Sequence, residues 1–228
     1  MTDASVTASE LAARRRGTDP NQLGHGAHGH GEATGHGRGG PASKRVITGY
    51  GFWLFLLSDI VMFSAFFAAY AVLSGSTAGG PTPKEVFELP RVAAETVLLL
   101  ASSFTCGLSA VATQARRLWW TEIALLVTGL LGAAFLALEV QEFAGLVARG
   151  AGPQRSGFLS AFFAVVGCHG LHVGVGLLWL GTMMAQIYVK GFREDILRRM
   201  LCFNLFWHAL DIIWVALFTV VYLLGAAT

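Results

Sequence analysis

Close to its C-terminal end the chain carries Leu201–Gly225, LCFNLFWHALDIIWVALFTVVYLLG, an apolar run that nevertheless holds His208 and Asp211. A run of this length spans a bilayer. Inside lipid it has one backbone solution, a helix, because every N–H and C=O must be satisfied within the segment. His208 and Asp211 stand three residues apart, so that helix presents both on one face. Ionisable groups at such depth turn toward protein or water and away from lipid. The run therefore predicts a membrane helix with one face hidden.

Four further runs read the same way, giving spans of about 48–73, 92–115, 120–147, 157–189 and 200–226. Breakers and charges separate them: Gly79, Gly80, Pro81 and Pro83 after the first, Arg116 and Arg117 after the second, and the charged loop KGFREDILRR before the last. With 54% hydrophobic residues, 13% charged and a mean hydropathy of +0.57, the chain reads as an all-α polytopic membrane protein. A net charge of +2, with the basic residues in the loops and at the N-terminus, argues against a nucleic-acid partner. Cys106, Cys168 and Cys202 all lie in apolar runs and read as small buried residues.

Residues 1–45 are expected to be a disordered tail rich in Gly and His. Its His25, His28, His30 and His36 suggest metal buffering, but a solvated tail is the favoured reading. Met1–Gly17 lacks the apolar core of a cleavable signal peptide. Of the sixteen Lys and Arg residues, twelve fall in the tail and in the loops after spans two and four. The expected topology is an N-terminus in the cytoplasm and a C-terminus in the periplasm. Phe52, Trp53, Trp119, Trp120 and Tyr222 are expected near the membrane interfaces.

The candidate polar groups within the spans are Asp59, Glu95, Glu139, Glu142, His169, His172, His208 and Asp211. Asp59, His169 and Asp211 are expected near the midplane, and Glu95 and Glu142 toward the outer side. Such residues are functional candidates by default; the competing reading is that they pair and fix helix packing, which is favoured for His208–Asp211. Glu139 and Glu142, one turn apart, call for a shared proton, a lipid headgroup or a basic partner. Asp59 either trades protons or donates a hydrogen bond. A haem would need a histidine on each of its faces, whereas His169 and His172 sit on adjacent turns of one helix. The cysteine pattern of a copper–thiolate or iron–sulfur centre is absent. His169 and His172 could join a carboxylate around a metal, but two neutral histidines hydrogen-bonded across a glycine-rich helix contact, with Gly170 and Gly174 at close-approach spacing, is the favoured reading. No catalytic, cofactor or metal residue is assigned in this chain.

Four stretches in order, GFWLFLLSDIVMFSAFFAAYAVL, GSTAGGPTPKEVFELP, GFLSAFFAVVGCHGLHVGVGLLWL and FWHALDIIWVALFTVVYLLG, resemble subunit III of the haem–copper terminal oxidases. The resemblance runs from about Tyr50 to Gly225 and is greatest to the cytochrome o ubiquinol oxidase branch of bacteria. It implies a cytochrome c oxidase subunit III-like fold in the bacterial inner membrane. It also implies a non-catalytic place in a proton-pumping respiratory complex that passes electrons from quinol to oxygen. The implied partners are the catalytic subunit I, which carries the haems and copper, subunit II and a small subunit IV. Phospholipid is implied in a cleft between two helix bundles. Members of the family carry an acidic residue at the position of Asp59, usually Glu in the cytochrome c oxidases. They also carry counterparts of Glu139, Glu142, His169, His172, His208 and Asp211. Mitochondrial relatives have two further helices at the start. Two alternatives compete with this assignment: a small proton-coupled transporter or channel using Asp59, Glu139 and Asp211 as a relay, and subunit III of a cytochrome c oxidase.

Overall fold

The structure, a computed structural model, describes residues 43–227, and the side chains up to Gly225. The residues read above as a tail lie outside the described part up to position 42, together with His25, His28, His30 and His36. The chain divides after Thr48. On the N-terminal side of that division Thr48 Oγ1 donates to the Lys44 carbonyl at 2.8 Å, so Lys44 and Arg45 are helical and not part of a tail.

Among the described residues five helices are long and apolar enough to cross a membrane. They are α1 (Lys44–Leu73), α3 (Leu89–Gln114), α4 (Leu118–Ala148), α5 (Gly157–Lys190) and α6 (Glu194–Leu217). A short α2 (Pro83–Val86) interrupts the loop after α1. After α6 the chain continues as a π-helical stretch, Phe218–Leu223, and ends in α7 (Leu224–Ala227). Local chemistry explains the boundaries. Thr82 and Glu85 form a capping box at α2, with Pro83 in the first turn. Ser156 caps α5 by accepting from Leu159 N at 3.2 Å. Gly191, at φ +66°, closes α5 in a backbone conformation that a side chain would strain. The charged segment expected to be a loop is partly helical: α6 begins at Glu194, where Glu194 and Asp195 face the positive end of the helix dipole.

Helices α3, α4, α5 and α6 each pack on two neighbours and close a ring, α3 on α4, α4 on α5, α5 on α6 and α6 on α3. The ring interior is filled by large side chains, among them Phe135, Phe162, Trp207, Trp214 and Tyr222. Trp207 fits because Gly132 and Gly176 leave room for its ring; a Cβ at Gly132 would come within 2.8 Å of it. Tyr222, expected at an interface, is instead fully buried. The π-helical stretch turns it inward against Phe87 and Phe162, at ring-centroid separations of 4.8 and 5.8 Å. Trp119 and Trp120, by contrast, are exposed.

Helix α1 meets the ring through a narrow stripe, Leu56, Phe63 and Tyr70, one residue every seventh position. Phe63 lies edge-on to His172 at 5.4 Å, and Tyr70 donates to the Val221 carbonyl at 3.1 Å. That bond satisfies a carbonyl within the π-helical stretch.

Candidate functional site

The predicted polar residues fall into separate groups, each made by different helices. The first lies within the ring. Pro90 starts α3 and places Arg91 in its first turn, where Nη2 donates to the Leu138 carbonyl of α4 at 2.9 Å. Arg91 Nε stands 3.6 Å from Glu95 Oε1, one turn on. Glu95, Glu139 and Glu142 are all buried and act on one another electrostatically. The Tyr222 hydroxyl donates to Glu142 Oε2 at 3.4 Å. The structure thus joins Glu95 to the Glu139–Glu142 pair and supplies the basic partner that the pair calls for, Arg91. One guanidinium balances one carboxylate; protons, or charge from outside the chain, balance the others. Both oxygens of Glu95 and one of Glu139 make no hydrogen bond among the described residues.

Glu139 is also what makes Gly170 necessary. A Cβ at Gly170 would collide with the Glu139 carboxylate, whereas one at Gly174 would meet only Leu136 at an ordinary 3.8 Å. The close approach expected of the Gly170–Gly174 pair is therefore between a backbone and a carboxylate, at Gly170 alone.

His169 is fully buried between Phe135 and Trp214, with ring centroids 5.7 and 5.1 Å away. Its Nε2 donates across to the Leu210 carbonyl of α6 at 3.2 Å. Because a carbonyl only accepts, that nitrogen carries a hydrogen. His172 does not reach across: its Nδ1 donates to the Cys168 carbonyl of its own helix at 2.7 Å. Only His169 makes the expected interhelical bond. Among the described residues no three His, Cys, Asp or Glu side chains gather as a metal site. Asp59 is half-buried on α1 and faces Cys168 of α5 electrostatically, with no hydrogen bond among the described residues. Among the described residues no hydrogen bond or ion pair joins Asp59, Glu139 and Asp211 directly; the electrostatic neighbours are Cys168 for Asp59, Glu95 and Glu142 for Glu139, and Ser103 and His208 for Asp211.

The third group sits where α3 meets α6. His208 Nδ1 and Ser103 Oγ are 2.7 Å apart, and the same hydroxyl is the polar neighbour of Asp211. A hydroxyl has one hydrogen. When His208 donates to Ser103, the hydroxyl hydrogen is free to turn toward Asp211. His208 and Asp211 thus share a face, as their spacing predicts, but Ser103 links them. These residues line a recess of about 410 Å³. On its other side His208 borders an apolar cleft of about 480 Å³ between α1 and α6, lined by Trp53, Phe63, Phe67 and Ile213 among others.

Sequence reasoning missed Arg91, Tyr222, Ser103 and Glu122. Arg91 reads as a loop charge, and a serine on an apolar helix carries no signal of its own. Glu122, one turn into α4, has a buried oxygen without a hydrogen bond, and only its charge within an apolar run marks it.

The family model described as cytochrome c oxidase subunit III matches residues 30–226. The chain is 52% identical over 179 residues to the cytochrome bo(3) ubiquinol oxidase subunit 3 of Pseudomonas aeruginosa, covering 78% of this chain and 86% of that one. It is 41% identical over 175 residues to the quinol oxidase subunit 3 of Bacillus subtilis, covering 77% and 86%. It is also 41% identical over 180 residues to the cytochrome c oxidase subunit 3 of Bacillus sp. (strain PS3), covering 77% and 84%.

Proposed function

The chain belongs to the cytochrome c oxidase subunit III family, and from that premise we propose that it is the non-catalytic subunit III of a cytochrome bo(3)-type ubiquinol oxidase in the bacterial inner membrane. The observation that carries this reading is the 52% identity to a ubiquinol oxidase subunit 3 over most of both chains. In this role the chain stabilises the catalytic subunit I, which holds the haems and copper, and assembles with subunits II and IV. Its own polar groups support the same reading. The ring nitrogens that His169 and His172 use are committed to carbonyls, and the buried carboxylates face Arg91 and Tyr222. Such groups fix packing.

The N-terminus, with the Gly/His-rich residues ahead of α1, lies in the cytoplasm and the C-terminus in the periplasm, on the strength of the Lys and Arg distribution. The cleft between α1 and α6 holds phospholipid. Its apolar walls suit an acyl chain, and it runs beside an α1 that contributes few buried residues. Asp59, half-buried and without a hydrogen bond among the described residues, is the residue best placed to link the subunit to proton uptake.

The experiment is purification of the chain in mild detergent, with an absorption spectrum and a quinol-driven oxygen-uptake assay. Haem absorbance and oxidase activity should accompany the chain, and the stripped chain should be colourless. A colourless, inactive chain that moves protons in vesicles would overturn the reading in favour of a transporter. The 41% identity to a cytochrome c oxidase subunit 3 supports a second reading within the family. It predicts that the purified complex oxidises reduced cytochrome c and not quinol.

A further inference from the structure

The recess formed by Ser103, His208 and Asp211 lies near the middle of both α3 and α6, at the depth where lipid offers only hydrocarbon. Its rim is apolar and outward: Leu100, Phe104 and Leu108 are 45%, 69% and 48% exposed. Its floor is polar, and Asp211 Oδ1 is buried there with no hydrogen bond among the described residues. Gly107 lines the recess one turn from Ser103, and a Cβ on it would meet nothing within 4 Å. At Gly132, Gly170 and Gly176, which face into the ring, a Cβ would run into a neighbour, whereas Gly107, like Gly145 and Gly181, faces open space. At Gly107 the room is left open toward the bilayer.

Small residues four apart let a neighbouring helix approach closely, and polar side chains across such a contact bind it. The lining of the recess holds a carboxylate, an imidazole and a hydroxyl but no Lys or Arg. The geometry points to this recess as the docking site of a transmembrane helix from a partner subunit, one that packs on Ser103 and Gly107 and brings a hydrogen-bond-donating side chain to Asp211. The inference rests on the reading of the chain as an oxidase subunit. Other occupants fit less well. A lipid chain at this depth has no donor to offer, since headgroups lie at the interface. The polar residues 1–42 are unsuited to the hydrocarbon core. A second copy docked across a two-fold axis would set Asp211 against Asp211.

The test places a photo-reactive amino acid at Phe104 in the full complex, purified through a tag on this chain. Gly107→Leu is purified in parallel. The expected result is an adduct between position 104 and a different polypeptide of the haem-bearing complex, and loss of haem from the Gly107→Leu preparation. Adducts with lipid only, or with a second copy of this chain, overturn the inference. So does full haem recovery with Gly107→Leu. Should that variant fail to fold, the adduct formed by the otherwise unaltered chain still decides. If the unaltered chain brings down no haem at all, the oxidase reading itself has failed, which is a separate outcome.

Discussion

Two polar sites in this chain, both deep in apolar helices, are finished in different ways. The cluster of Glu95, Glu139 and Glu142 is enclosed by the ring, tied to Arg91, capped by Tyr222 and seated on Gly170. The site of Ser103, His208 and Asp211 is half-buried and opens sideways between exposed Leu100, Phe104 and Leu108. Both carry carboxylates that lipid would not tolerate. The first is enclosed by the chain, which sets Arg91 against Glu95 but leaves both oxygens of Glu95 and one of Glu139 without a hydrogen bond among the described residues. The second has a single hydroxyl between its imidazole and its carboxylate, with open room beside it. A membrane subunit thus separates groups that hold its own fold from groups that need a neighbour, and burial distinguishes them where hydropathy does not.

If the enclosed cluster holds the fold, its cation matters most. Arg91→Met removes the guanidinium in ion-pair contact with Glu95 and the side-chain donor it gives to the Leu138 carbonyl. The expected loss is about 3–5 kcal/mol, the usual cost of breaking a buried pair from one side, read as a lower thermal midpoint of the isolated chain in mild detergent. Adding Glu95→Gln should recover part of that loss. If the double variant is no more stable than Arg91→Met, the carboxylates are not what Arg91 neutralises, and the cluster is a packing feature only.

Next in size is Gly170→Ala. The new methyl meets the Glu139 carboxylate, which cannot withdraw without disturbing the α4–α5 contact. Overpacking of this kind costs about 1–3 kcal/mol. Gly174→Ala, facing only Leu136 at 3.8 Å, should be close to neutral in the same melt. Equal losses at the two positions would show that the α5 backbone itself, and not the carboxylate, sets the spacing.

The contrast between the two sites was only partly legible in the sequence. The helices were legible because apolar runs of bilayer length leave the backbone one choice. The shared face of His208 and Asp211 was legible because residues three apart on a helix are neighbours. Partners brought from other helices were not. Arg91 follows a proline after an irregular loop, so it reads as a loop charge, and nothing local reveals that α3 starts early enough to bring it onto the Leu138 carbonyl of α4. Ser103 is one small residue in an apolar run, and its meeting with His208 depends on how α3 packs against α6. Tyr222 looked like an interfacial aromatic, and only the π-helical stretch around it turns it inward. The sequence also hid the start of α6, since Glu194–Arg199 has the charge of a loop and only the acidic first turn, Glu194 and Asp195, marks it as a helix start.

A smaller effect separates the hydroxyl of Tyr222 from its ring. Tyr222→Phe keeps the contacts with Phe87, Phe162 and Trp214 and removes only the 3.4 Å bond to Glu142. A loss of about 1 kcal/mol is expected. A loss several times larger would mean that the hydroxyl organises all the carboxylates, and the cluster would then depend on Tyr222 as much as on Arg91.

The smallest expected effect on the isolated chain is at the open site. Asp211→Asn keeps the shape of the side chain and its contact with Ser103, and it removes a charge that has no cation among the residues lining the recess. The change in thermal stability of the isolated chain should stay within about 0.5 kcal/mol, as for substitutions away from a closed network. In the assembled complex the same substitution weakens the carboxylate as an acceptor for a partner's donor, so the haem recovered with the chain should fall on salt or detergent challenge. A loss in the isolated chain as large as that of Arg91→Met would erase the distinction between the two sites. Asp211 would then belong to the fold. An unchanged chain with a weakened complex would show that the ring of helices is complete without this residue and that its carboxylate serves the contact with a neighbour.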